Sequence, residues 1–237
     1  MKKCIYLIMI IMIIFLTGCN NNTIESTTDL TSITELPVDE KTKLLNIISD
    51  SKNQEYYKTE TSGKTVANVL WGFNQEISGY EIKENGIYYV NSISSSTFKN
   101  IYHLAVFKDD SVDYKDGMDE EYKNTSYEEY KSVYGVIPKT SFAGYIVDES
   151  TIKSMEKLDE YYKITLDNKS AEDMVIQMKT FGSLNEIPIF ESLVLNVYID
   201  TLVRKVEVVS KYNIDITFFG KTSCDQKLTI DYTYIKA

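Results

Sequence analysis

The sequence predicts an α+β domain, a long antiparallel sheet with a few helices laid over its apolar face. Three observations carry that prediction. Apolar residues alternate at a period of two near the C-terminus, where Leu228, Ile230, Tyr232 and Tyr234 interleave with Lys227, Thr229, Asp231 and Thr233. Connections of hairpin length separate such runs; Asn85-Gly86, between Ile82 and Ile87, reads as a tight turn because both residues tolerate positive φ. Helical spacing, by contrast, is confined to short stretches.

Taken in order, Lys2 and Lys3 precede a nearly continuous apolar run from Ile5 to Leu16, and Thr17-Gly18 leads into Cys19. A basic start, a short apolar core and a small-residue end predict a secretory signal over residues 1–18. The run is short for a membrane-spanning helix. Residues 20–36, NNNTIESTTDLTSITEL, are polar without period, which predicts a flexible tether after Cys19. One domain is expected over residues 37–237. Pro37 suits the first turn of a helix, with Asp39 and Glu40 placed for its dipole and Leu44, Leu45, Ile47 and Ile48 on one face through about Ser49.

From Lys64 the period of two predicts a strand with Val69, Trp71, Phe73 and Ile77 on one face. Strands Ile87 to Ile93 and Ile101 to Phe107 follow, divided by the serine-rich SISSST. Asp116-Gly117 closes a short strand from Ser111 to Tyr114. The charged, Tyr-rich segment from Met118 to Tyr134 reads as a loop with a short helix near Tyr127–Val133, ended before Pro138. Residues 144–157 read as extended, and Tyr162, Ile164 and Leu166 as one strand face. Ser170 is the expected cap of a helix carrying Ala171, Met174, Val175 and Met178 at i, i+3, i+4 and i+7, with Gly182 as its stop. Of the three strands after Pro188, the first two present Leu193, Leu195, Val197 and Ile199, then Val206, Val208, Tyr212 and Ile214, and the last carries the Leu228 to Tyr234 face. A one-residue slip would turn each set to water, so register is firmly set.

The chain carries a formal charge of −10. Removing Lys2 and Lys3 with the leader leaves 23 bases against 35 acids, or −12. That balance argues against nucleic acid, whose phosphates need clustered Lys and Arg, and against adhesion to anionic headgroups by charge. Of the cysteines, Cys4 leaves with the signal, Cys19 ends it and Cys224 stands alone, so no disulfide is expected inside the exported domain. The 19 tyrosines suit a half-buried sheet, with a ring to pack and a hydroxyl left wet.

Little in the sequence points to catalysis. His103 is the only histidine, which excludes a multi-His metal site and a triad needing a second His; at strand spacing with Ile101, Ala105 and Phe107 it reads as a hydrogen-bonded structural residue. Cys224 shares a face with Leu228 and Ile230 and reads as a small buried hydrophobe rather than a nucleophile. The acidic run Asp109 to Glu121 lacks the EF-hand glycine, because Tyr114 follows Asp113, and reads as a solvated hairpin end, with an irregular calcium site as the alternative. No GxSxG, phosphate loop, CxxC or HExxH occurs, and among 35 acids a carboxylate pair carries no signal without geometry. No catalytic residue, metal or cofactor is expected. Trp71, Phe73, Met174 and Met178 form a candidate lining for an apolar ligand, since aromatic and Met surfaces adapt to greasy molecules; ordinary core between helix and sheet is the alternative.

The ending Leu16-Thr17-Gly18-Cys19 resembles the lipobox of bacterial lipoproteins. That resemblance implies a diacylglycerol on the Cys19 thiol, cleavage before it, and a domain held on the outer, extracytoplasmic face of a cell membrane. Two or more acyl chains give stable anchoring, at about 0.8 kcal/mol per buried methylene. A lipobox, a tether, a helix and a meander broken by a helix also resemble the LolA/LppX-type lipoproteins and lipoprotein carriers. The segments YIVDESTIKS, YYKITLDNKSAEDMVIQMKTFG and IPIFESLVLNVYIDTLVRKVEV are similar to uncharacterised lipoproteins of low-GC Gram-positive bacteria, over about residues 40–237. The resemblance implies a strongly curved antiparallel half-barrel with helices on its concave face. It also implies a non-enzymatic module that carries lipid or another apolar ligand; an envelope scaffold with a filled cavity is the alternative. No functional residue transfers with it.

Overall fold

Among the described residues, eleven strands form one antiparallel sheet in the order β6-β5-β4-β3-β2-β1-β11-β10-β9-β8-β7. They are β1 Tyr56–Ala67, β2 Phe73–Glu84, β3 Ile87–Ser96, β4 Asn100–Phe107, β5 Ser111–Lys115, β6 Lys123–Ser126, β7 Ile152–Lys157, β8 Tyr162–Leu166, β9 Ile189–Ile199, β10 Val203–Ile216 and β11 Gly220–Thr233. The helices are α1 Val38–Asn53, α2 Tyr127–Tyr134 and α3 Glu172–Gly182. The computed structural model describes residues 38–68, 73–96, 99–216 and 220–235, all inside one compact unit, Thr34–Ala237. The leader, Cys19, the tether and Trp71 lie outside the described residues, as does the Phe73 side chain. No described helix is long and apolar enough to cross a membrane.

The expected α+β class and antiparallel sheet are present. Two meanders, β1–β6 and β7–β11, are stitched together where the first strand pairs with the last, Thr59 opposite Tyr232 and Thr65 opposite Gln226. The sheet does not close, because edge strands β6 and β7 do not pair. Register puts Thr59, Glu81, Val90, Ala105 and Tyr114 in one row across β1 to β5, so their side chains share a face. Between the edges the chain runs through α2 and residues 135–151, and α3 sits between β8 and β9. These segments cover that face.

Several local expectations are corrected. The strand expected from Lys64 through Ile77 is two strands, β1 and β2. β1, YYKTETSGKTVA, is polar enough to hide its period, yet Tyr57, Thr59, Thr65 and Ala67 are buried. SISSST is not a divider: β3 continues to Ser96 with its serines paired against β2 and β4. Lys123–Ser126 forms edge strand β6, and of residues 144–157 only Ile152–Lys157 is a strand. α1 runs beyond Ser49 to Asn53. Asp167, not Ser170, caps the helical segment before α3, its carboxylate accepting from the Lys169 amide at 2.9 Å while Ser170 is buried in a 3-10 turn. Gly182 stays helical, and Ser183 takes the left-handed cap at φ 52°.

Asn85-Gly86 behaves as expected, both at positive φ between β2 and β3. α2 starts on the expected segment, with the Ser126 hydroxyl accepting from the Glu129 amide. Gly135 ends it at φ 74°, where a Cβ would lie 2.0 Å from the Asp173 carbonyl oxygen. Only glycine lets α2 end that close to α3.

Two cores form on the covered face. One is largely aliphatic and joins α1 to β7–β11, with Leu44, Ile48, Ile164, Leu193, Leu195, Val197, Val206 and Val208 buried. The other is aromatic and joins β3–β5 to α2, with Tyr88, Phe107, Tyr130 and Tyr134 buried among Ala105, Val112 and Ile137.

Candidate functional site

Between the two cores the covered face is not filled. A cavity of about 920 Å³ lies against β1–β4, β10 and β11, covered by α3 and residues 136–144. That volume is at the upper end of the roughly 300–1,000 Å³ of small-molecule sites. The cause is side-chain size. Thr61, Gly79, Ser92 and Ser94 sit where β8–β10 carry Ile, Leu and Val, and they leave the volume empty. Ile77, Ile101, Ile214 and Leu228 face the cavity and stay only partly buried, although register turns them inward.

α3 is the roof. Met174, Gln177, Met178 and Phe181 recur at i, i+3, i+4 and i+7 and all line the cavity. Met174 and Met178, two of the four sequence candidates, therefore meet on one wall. Trp71 and the side chain of Phe73 fall outside the described residues. Ala171, on the same helical segment, is fully buried in the aliphatic core. The roof is held at its C-terminus by Lys99, whose Nζ donates to the Phe181 carbonyl at 3.0 Å and to Ser183 Oγ at 2.9 Å. A cation at a helix C-terminus also meets the favourable end of the dipole. At its start, Lys131 of α2 pairs with Asp173 at 3.3 Å.

The wall is not uniformly apolar. At the Tyr57 end, Lys52 from the last turn of α1, Glu81 of β2 and Tyr57 of β1 all reach the cavity. The Tyr57 hydroxyl donates to Glu81 Oε1. Lys52 Nζ donates to the carbonyls of Lys139, at 3.2 Å, and of Ser141. Burial pushes the Glu81 carboxyl above the usual carboxylate range, against the lowering pull of Tyr57 and Lys52. Burial likewise brings the Lys52 ammonium down to about 8, opposed by Glu81 and aided by Lys83.

His103 sits beside the cavity in the aromatic core. Its Nδ1 lies 2.8 Å from Asp116 Oδ1 and its Nε2 2.7 Å from the Tyr130 hydroxyl. An ionised carboxylate only accepts, so Nδ1 carries the proton and Nε2 accepts from Tyr130. Asp116 Oδ2 accepts from Tyr134 at 2.7 Å. Burial lowers the imidazole pKa below its ordinary value, against the raising effect of Asp116. Burial raises both tyrosines far above theirs. A neutral imidazole between phenols with firmly held protons is a satisfied structural network, as the strand spacing implied. Asp116 was missed, because its turn position gave no hint that it reaches back to His103.

Cys224 is buried beside Ala67 and Tyr212, with its thiol pushed up to about 12 by burial and the neighbouring Asp225, so it holds no thiolate. In the acidic run, Asp113 accepts from Lys108 and from Asn124 at 2.6 Å, and Asp116 belongs to the His103 network. Among the described residues no group of three or more His, Cys, Asp or Glu side chains is placed to hold a metal ion.

Comparison with models of known protein families finds no match to this chain, and comparison with curated proteins finds no significant relative. The likeness to half-barrel lipoproteins therefore stays a resemblance in the order of elements.

Proposed function

We propose that residues 37–237 form a non-enzymatic binding module that carries a lipid or another apolar molecule in the cavity between sheet and α3. The single observation that supports it is the open cavity of about 920 Å³ with a mainly apolar wall. An envelope scaffold, the alternative, would fill that space with its own side chains; here serine, threonine and glycine face it instead. In this reading the sheet is strongly curved and its concave face encloses the ligand. Cys19 carries diacylglycerol and holds the module on the outer face of the cell membrane, after removal of residues 1–18. The acidic surface offers no basic footprint for nucleic acid.

Native mass spectrometry of the chain purified from its cells tests the carrier. An adduct of lipid mass, lost on organic extraction, is the expected result. A bare polypeptide that stays bare after incubation with mixed lipids overturns the reading. Cys19→Ala tests the anchor: acyl labelling is lost and the protein is released or misprocessed. Labelling equal to the unsubstituted chain sinks the anchor alone.

A further inference from the structure

The polar end of the cavity sets what the ligand's head must be. Lys52 and Glu81 both face the cavity, and among the described residues neither forms an ion pair. Among the described residues the Lys52 ammonium donates to two neutral carbonyls. Glu81, the carboxyl nearest in its field, is tied to the Tyr57 hydroxyl and is held toward its neutral form by burial. This end therefore offers the Lys52 ammonium with no ion-pair partner among the described residues, with Lys83 beside it donating to the Lys52 carbonyl at 2.8 Å, and that positive charge complements a ligand carboxylate. From Thr59 to Thr65, β1 then extends on the order of 20 Å, at about 3.3 Å per residue, toward Gln75 and Gln226 at the far end. The wall on the way is mainly apolar, with Ile77, Met174, Met178 and Leu228 beside the small Thr61 and Ser94.

We propose that the cavity takes a long-chain fatty acid, its carboxylate at Lys52 and its tail along Ile77, Met174 and Met178. This rests on the apolar-ligand reading of the same cavity and adds the class of the ligand. A long alcohol has the same tail and no charge, so the comparison of the two isolates the head.

The test is equilibrium binding of tritiated palmitic acid and of tritiated hexadecanol by the full-length chain. Near pH 7 palmitate is expected to bind roughly ten- to a hundred-fold tighter, the ratio a charge-assisted hydrogen bond supplies. Lys52→Met removes that preference by weakening palmitate far more than hexadecanol, whereas Lys52→Arg keeps it. The unsubstituted chain gives the same answer without a substitution. Its preference falls as pH rises through about 8, where Lys52 loses its proton. The other groups facing this end are Glu81 and Lys83 from β2, Tyr57 from β1, Tyr88 from β3 and Tyr232 from β11. Burial holds the three phenols protonated well beyond that range. Equal binding of acid and alcohol overturns the head-group assignment and leaves the apolar cavity standing. A preference that survives both Lys52→Met and the pH change overturns the role of Lys52. Failure to bind either probe overturns both readings.

Discussion

The two halves of this one sheet solve the same burial problem with different chemistry. The β7–β11 half closes chiefly with aliphatic side chains, Ile164, Leu195, Val197, Val206 and Val208 all 0% exposed, with Tyr145 and Tyr212 buried among them. The β3–β5 half closes with Tyr88, Tyr130 and Tyr134, and each buried hydroxyl needs a partner. His103 and Asp116 supply partners for two of them. Between the halves, β1–β3 present small side chains and the sheet is left unfilled. The lesson is that inward-facing register does not by itself make a core. Volume on the inward positions decides whether a face becomes core or cavity.

The largest test of this contrast is alkaline titration. The folded state holds the protons of Tyr57, Tyr130, Tyr134, Tyr145, Tyr212 and Tyr232 through burial, whereas unfolded tyrosines release them near pH 10. Above that pH the unfolded chain binds fewer protons than the folded one, so stability falls as pH rises. The expected outcome is that the last fraction of tyrosinate absorbance appears together with the cooperative loss of far-UV circular dichroism. Complete tyrosinate formation before the fold is lost contradicts the burial of these six side chains.

Leu195→Ala comes next, at about 3–5 kcal/mol by denaturant unfolding, because its fully buried site cannot collapse around the missing atoms. A loss below about 1 kcal/mol would mean that the aliphatic half is loosely packed. His103→Ala is expected to cost about 2–4 kcal/mol, since it strands the Tyr130 hydroxyl and leaves the space of a ring. His103 also has an acid signature. Its folded pKa is lowered, so the unfolded chain binds the extra proton and stability drops as pH falls through about 6.5. That part of the pH dependence should vanish in His103→Ala.

Tyr57→Phe removes the one hydroxyl that donates to Glu81 and should cost about 1 kcal/mol. Met178→Ala is the smallest, about 1 kcal/mol, because this side chain packs against the aliphatic core on one side only and borders the cavity on the other. A Met178→Ala loss equal to that of Leu195→Ala would show that the cavity is filled in solution.

Much of this was legible residue by residue. The alternation in β9–β11, the Asn85-Gly86 turn and the amphipathic spacing of Met174 and Met178 each follow from a local period. What escaped did so for local reasons as well. β1 is a central strand that reads as polar, because its inward residues include Thr59, Thr61 and Thr65. Ser92, Ser94 and Ser96 look like a loop, because serine is a turn residue when read without its partners. Those two misreadings fall on the cavity wall, where large apolar residues are absent and the period signal fades.

The sequence by itself determined the antiparallel class, the placement of most strands and helices, and the acidic balance of the chain. Periods of two and of 3.6 residues are properties of neighbours in the chain. Only the tertiary structure decided that β1 pairs with β11, that Lys52, Glu81 and Tyr57 meet at one end of a cavity, and that Asp116 reaches His103. Those juxtapositions join residues far apart in sequence, and the volume they enclose exists only once the sheet and α3 face each other.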